Sequence, residues 1–118
     1  MNIQIYYVKR NFDVQKAERF FKERRIPFQL VDMRKTPPGK RELQLFAQQA
    51  GGIKNLLNVE DIKVRSHPCM YTPDEERIIE YITAQPELMV TPIVRNGRKI
   101  TLGNGESVWR LWAEQEKE

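Results

Sequence analysis

The one thiol of this chain is Cys69, in the segment Ser66-His67-Pro68-Cys69-Met70, two residues from the one histidine. A cysteine reacts as its thiolate, and a nearby imidazolium lowers the thiol pKa. The spacing is therefore compatible with a redox switch, and the alternative is a purely structural cysteine. A protein metal site needs three or four ligands, so we expect no metal site from this pair.

A second segment of chemical interest, Val8-Lys9-Arg10-Asn11, joins the first predicted strand to the first predicted helix. A helix N-terminus has unpaired N–H groups and the positive end of the dipole, which stabilise a thiolate or another anion. Asn11 occupies the position where the helix N-terminus would activate a nucleophile, but an amide cannot form a thiolate. We expect Asn11 to cap the helix. Lys9 and Arg10 then either line a pocket for an anion or peptide carbonyl, or lie in solvent.

The composition indicates one globular domain: 118 residues, of which 40% are hydrophobic and 31% are charged. No apolar run approaches the roughly 20 residues of a membrane span, and the N-terminus has no secretory pattern. A single cysteine cannot form an internal disulfide, so nothing indicates an oxidising compartment. We therefore expect a cytoplasmic protein that does not bind membranes.

The net charge of +4 is unevenly distributed along the chain. Residues 1–65 hold 14 Lys or Arg against 7 Asp or Glu, whereas the remainder holds 6 against 9. A basic half can attract phosphate, nucleic acid or an acidic protein surface, or its charges can simply solvate helix faces. No recognition-helix motif or aromatic-interleaved basic run is present, so we expect no direct nucleic-acid binding.

The first third of the chain predicts a strand–helix–strand unit with parallel strands. Apolar residues alternate over 3–7, recur with helical spacing over 12–25 and form a second strand over 28–33. The predicted inward face of the helix consists of Val14, Ala17, Phe20 and Phe21.

The segment 36–86 has helical character and is predicted to be an insertion. Its first helix, 40–50, places Leu43, Phe46, Ala47 and Ala50 inward. A second helix is expected to start with a capping box at Thr72 that places a proline first in the helix, and its buried stripe is Ile78, Ile79 and Ile82.

The last third predicts a hairpin followed by a closing helix. A strand over 88–95 and its antiparallel partner over 98–102 are joined by Asn96-Gly97, a two-residue turn signal. In the closing helix we expect Val108, Leu111 and Trp112 on one side. Of Trp109 and Trp112, one is expected in the core and one at the surface as a partner contact.

This order of elements, with Thr91-Pro92 opening the third strand, resembles the thioredoxin/glutaredoxin superfamily, in which a cis-proline faces the redox site. The helical insertion makes the chain more similar to the arsenate reductase and Spx-type branch. The resemblance covers nearly the whole sequence. Its carriers are Tyr6, Lys16-Ala17, Pro37-Pro38, Glu42-Leu43, Gly52, Leu56-Leu57, Pro86-Glu87-Leu88, Pro92-Ile93-Val94 and Leu102-Gly103.

The differences from that branch fall on the chemistry. The branch typically has a proline, a cysteine and often a second cysteine where this chain has Lys9, Asn11 and Val14. Three arginines bind the oxyanion in the reductases. The matching positions here hold Lys54, Thr91 and Asn104. Since Asn11 cannot form a covalent adduct, these differences argue against arsenate reduction.

The resemblance implies an α/β fold: a thioredoxin-like, four-stranded mixed sheet flanked by helices, with the insertion of arsenate reductase-like proteins. We expect a single domain over 1–118. Its sheet core spans 1–35 and 87–118, and its helical insertion spans 36–86 and packs on the sheet.

Three functional hypotheses follow from the resemblance. The first is a redox-inactive or altered member, a binding or regulatory module with a cleft between Lys9–Asn11 and Thr91–Pro92. The second is a one-cysteine thiol-disulfide oxidoreductase that uses Cys69. The third is an Spx-type transcription regulator that contacts RNA polymerase. We favour the first, which makes an enzymatic role the less favoured interpretation.

The expected partner is a protein, a small anion or a thiol peptide. No cofactor is expected, and glutathione or another thioredoxin would serve as reductant only in the one-cysteine hypothesis. The expected ligand-binding residues are Lys9, Arg10, Asn11, Lys54, Thr91 and Pro92.

Overall fold

The computed structural model describes residues 1–116, which form two compact units. The first, the sheet unit, consists of Met1–Val31 and the described residues from Thr91 onward. The second, the helical unit, is Asp32–Val90. The sequence placed the corresponding boundaries at residues 35 and 87, and the prediction that both parts form a single domain stays a prediction.

Four strands form one sheet in the order β2-β1-β3-β4. Their bounds are β1 Ile3–Tyr7, β2 Phe28–Asp32, β3 Ile93–Asn96 and β4 Lys99–Leu102. Strand β3 is antiparallel to β1 and to β4, and the sheet as a whole is mixed. Helices α1 (Phe12–Glu23) and α5 (Glu106–Glu116) flank it. The predicted fold class is confirmed.

The core of the sheet unit is an apolar cluster between the sheet and both helices. Its buried members are Ile3, Ile5, Val14, Ala17, Phe20, Phe21, Val94, Trp109 and Trp112. The inward face predicted for α1 is therefore correct. The ring of Trp109 lies 5.6 and 5.7 Å, between centroids, from the rings of Phe20 and Phe21.

The face predicted for the closing helix is wrong in part. Leu111 is 56% exposed and Val108 36%, whereas Trp109, Trp112 and Ala113 are buried. Both tryptophans belong to the core, so neither is a surface contact. The indole N–H of Trp109 donates to Thr101 Oγ1 at 2.8 Å, which satisfies its polar atom in the interior.

The hairpin prediction is correct in kind but shifted by one residue. Asn96 pairs with Lys99 in the ladder, so the two loop residues are Gly97 and Arg98. Gly97 has φ +64° at the first loop position, where a type II′ turn favours glycine. Strand β3 begins at Ile93, five residues later than predicted, and residues 86–88 form a 3₁₀ turn.

The helical unit contains helices α2 (Lys40–Ala50), α3 (Ile62–Arg65) and α4 (Glu75–Ala84). Single 3₁₀ turns span Ile53–Leu56, Pro68–Met70 and Pro86–Leu88. The predicted stripe of α4 is buried, as are the inward residues of α2 except Ala50, which is half-buried.

The predicted start of α4 is wrong by two residues. Asp74 is the N-cap and accepts from the Glu76 N–H at 3.0 Å. The hydroxyl of Thr72 donates to the Pro68 carbonyl at 2.8 Å, so it does not cap the helix. Within the described residues, no helix has the length and apolar character needed to cross a membrane.

Candidate functional site

Asn11 joins two backbone segments of the sheet unit. Its Oδ1 accepts from the Val14 N–H at 2.8 Å, as expected of an N-cap, and its carbonyl accepts from the Gln15 N–H. Its Nδ2 faces Thr91, at 3.3 Å from Oγ1 and 3.5 Å from the carbonyl oxygen. Both ends of the amide are thus engaged, and two residues that the sequence placed in one cleft lie side by side.

The Thr91–Pro92 peptide bond is cis. Pro92 is buried, and its carbonyl accepts from the Gly103 N–H at 2.8 Å, while Thr91 is half-buried. The segment therefore presents Thr91 beside the helix N-terminus and keeps the proline ring inside the unit. Among the residues described, the Thr91 N–H has no hydrogen-bond acceptor.

Arg10, in the loop before α1, is engaged by a residue of that helix. Its guanidinium pairs with the Glu18 carboxylate, whose hydrogen bond and charge raise the pKa of Arg10. The Arg10 carbonyl also accepts from Gln15 Nε2 at 3.2 Å. The other Glu18 oxygen, Oε2, is buried without a hydrogen-bond partner among the described residues. Spacing rules within one helix give no signal for this loop-to-helix pair, and the sequence analysis missed it.

Lys9 is exposed, and its ammonium makes no hydrogen bond or ion pair within residues 1–116. The N–H groups of Phe12 and Asp13, at the first two positions of α1, have no acceptor in that range either. The first turn of α1 also holds the Asp13 carboxylate, which is opposite in charge to Lys9. The helix terminus therefore combines free donors with little net charge. Phe12, 73% exposed, adds an apolar ring.

The two other positions matched to oxyanion-binding arginines are engaged locally. Lys54 is an exposed residue of the helical unit, and its ammonium donates to the Met70 carbonyl at 3.3 Å. Asn104 belongs to the sheet unit, where its Oδ1 accepts from the Glu106 N–H at 3.1 Å at the start of α5. Each side chain has a structural role in its own unit.

Cys69 is fully buried in the helical unit. Burial raises the pKa of its thiol, against the smaller lowering effects of its own backbone and of Lys54. His67 Nδ1 accepts from the Cys69 N–H at 3.0 Å, and the imidazole lies edge-on to Tyr81, with 5.0 Å between ring centroids. The imidazole thus accepts a hydrogen bond from the Cys69 backbone, an interaction that stabilises the local structure. Within residues 1–116, no cluster of His, Cys, Asp and Glu is arranged for a metal ion.

The mixed four-stranded sheet with its flanking helices matches the thioredoxin-like fold of solved arsenate reductases. The arsenate reductase of Vibrio cholerae superposes with a TM-score of 0.79 at 17% identity, over 93% of this chain and 97% of that chain. An arsenate reductase-related protein of Brucella melitensis gives a TM-score of 0.69 at 21% identity, over 95% and 94%.

In sequence, the chain is similar to YusI, an uncharacterized protein of Bacillus subtilis strain 168. The two are 22% identical over 107 residues, which cover 87% of this chain and 91% of YusI. No family model matches the sequence.

Proposed function

We propose that this chain is an arsenate reductase-related protein whose helix-terminal site binds a peptide backbone without thiol chemistry. The observation that carries the proposal is Asn11, which occupies the position of the family's nucleophile and connects the N-terminus of α1 to Thr91. Thioredoxin-like relatives bind extended thiol or peptide backbone at the cis-proline loop, and here that loop keeps a free Thr91 N–H.

The local charges favour an uncharged acceptor over an oxyanion. Arg10 is engaged by Glu18, and the other two charged residues that flank Asn11 in sequence, Lys9 and Asp13, are opposite in sign. A peptide carbonyl can accept from the Phe12 and Asp13 N–H groups without a counter-charge. An oxyanion can use the same donors, but Arg10 is engaged and the first turn of α1 holds the Asp13 carboxylate. The ligand class that fits is an extended, uncharged main chain.

The test is a titration of the ¹⁵N-labelled protein with a capped, uncharged pentapeptide of alternating valine and threonine. Saturable shifts at Phe12, Asp13 and Thr91 are expected. Asn11→Asp keeps the capping oxygen and replaces the amide donor by a carboxylate, so binding should weaken at least fivefold. Asn2→Asp makes the same change at an exposed residue before β1 and should bind normally.

Two results would contradict the proposal. One is inorganic phosphate or arsenate producing these shifts while the peptide produces none. The other is disulfide or arsenate reduction by the wild-type protein that Cys69→Ala abolishes, which would support the one-cysteine oxidoreductase with glutathione as reductant. The buried thiol of raised pKa gives that alternative no support.

A regulatory role is the second candidate, since the exposed Phe12 ring beside the site suits a macromolecular partner. The resemblance to Spx-type proteins suggests RNA polymerase as that partner. A pull-down with the wild-type protein and with Phe12→Ser tests it. Recovery of polymerase subunits by the wild type alone would support the role, and equal recovery by both would contradict it.

A further inference from the structure

The sheet unit contains a cleft of about 520 Å³, a size typical of pockets for small organic ligands. It lies where α1 ends, between the turn into β2 and the last turns of α5. Three cationic and three apolar side chains in its lining define what we call the arginine cleft. They are Arg24, Arg25, Arg110, Ile26, Pro27 and Ala113.

Arg25 has a backbone conformation that a glycine would adopt more easily. Its φ of +57° is left-handed, and the bonds from Arg25 N to Lys22 O and from Ile26 N to Phe21 O form the turn that ends α1. Glycine is the usual residue at this position, and any other residue adopts this conformation at a cost in stability. The exposed guanidinium offsets none of that cost, because it has no partner among the described residues.

The two other arginines are held by the fold, so they are already oriented. The Arg24 guanidinium carbon lies 3.7 Å from the centroid of the Phe20 ring, and its Nη1 donates to the Phe20 carbonyl. Arg110 pairs with Glu106 at 3.2 Å. Ala113, one helical turn after Arg110, places an apolar surface beside this charge.

We propose that the arginine cleft binds a small organic anion, whose carboxylate or phosphate pairs with Arg25 and whose apolar body packs on Ile26, Pro27 and Ala113. A guanidinium binds such groups through two parallel N–H donors. Met1, Glu114 and Glu116 also line the cleft, and the Met1 ammonium pairs with Glu116 at 3.1 Å. The two carboxylates disfavour an extended polyanion such as nucleic acid. This site is separate in the chain from the Asn11 site and does not depend on the proposed function.

Octanoate is the probe, because it combines one carboxylate with an apolar chain. In a ¹⁵N titration, saturable shifts are expected at Arg25, Ile26 and Ala113. 1-Octanol, which has no charge, and inorganic phosphate, which has no apolar body, should each bind at least tenfold more weakly.

Arg25→Gly is the decisive variant, since it removes the guanidinium and relieves the backbone. It should raise the melting temperature while weakening octanoate at least tenfold. Arg98→Gly removes the same charge from the hairpin loop and should leave affinity within twofold. Octanoate that binds Arg25→Gly as well as the wild type, or that causes no saturable shift, would overturn the proposal.

Discussion

A cysteine placed at position 11 measures the electrostatics of the candidate site directly. The variant is Asn11→Cys in a Cys69→Ala background, so that the protein has one thiol. The new side chain would lie where Asn11 Oδ1 now accepts from the Val14 N–H, and a thiolate is a suitable acceptor there. We therefore expect its pKa to be lower than that of an ordinary cysteine, about 8.5.

The structure also limits the size of this shift. A charge at an exposed helix terminus is worth about 0.3–1 kcal/mol, which lowers a pKa by about 0.2–0.7 units. Lys9 adds attraction, Asp13 subtracts it, and the pairing of Arg10 with Glu18 removes a second cation. The expected pKa is about 8, well above the range of about 3.5–7.5 typical of activated cysteines.

The assay is thiolate absorbance near 240 nm as a function of pH, checked by the rate of reaction with an aromatic disulfide. Gln48→Cys in the same background is the control. Gln48 is exposed in the last turn of α2, where the negative end of the dipole should leave the pKa at or above about 8.5. A pKa at position 11 no lower than that of the control would refute the view of the helix terminus as a donor site. A pKa below about 6 would refute the argument that the nearby charges cancel, since so large a lowering of the thiol pKa exceeds the effect of an exposed helix terminus.

Three further predictions concern stability. Thr101→Val should cost about 1–3 kcal/mol in chemical unfolding, because the buried Trp109 N–H loses its acceptor, whereas Thr101→Ser should stay near the wild type. Gly105→Ala should cost about 1–3 kcal/mol, because the added carbon would lie 2.5 Å from Thr101 Cβ. Because burial raises the Cys69 pKa, the folded state binds the thiol proton more tightly, so stability should fall as pH rises above about 8.5, and Cys69→Ala should remove this slope. A wild-type stability that is flat with pH, or either Thr101→Val or Gly105→Ala unfolding like the wild type, would contradict the corresponding argument.

The sheet could be predicted from the sequence because its signals are local. Alternation in β1, the helical spacing in α1 and a turn signal in the last third each specify an element without reference to the rest of the chain. The errors arose where two alternative apolar stripes are compatible with the same helix. In α5, one stripe runs through Val108, Leu111 and Trp112 and another through Trp109, Trp112 and Ala113. The second is buried because the Trp109 indole finds both an aromatic cluster and the Thr101 acceptor.

The site could be predicted in part for the same reason. Asn11 as a cap follows from its position before the helix, and its proximity to Thr91 follows from the resemblance. The pair of Arg10 and Glu18 joins a loop to a helix, so no periodicity reveals it. The left-handed conformation of Arg25 likewise cannot be predicted from the sequence, because glycine is the residue that normally indicates it.

The excess of cationic residues in the first half does not by itself predict an anion site at the helix terminus. Residues 1–65 have twice as many cationic as anionic side chains. The charge at the helix terminus nevertheless depends on which of these side chains are paired with an opposite charge. Arg10 is engaged by Glu18, and Asp13 opposes Lys9. The groups at the helix terminus that have no acceptor among the described residues are backbone N–H donors. In the proposed function these donors bind a carbonyl group, which needs no counter-charge. The proposed uncharged ligand requires neither a thiol at position 11 nor a cationic clamp beside it.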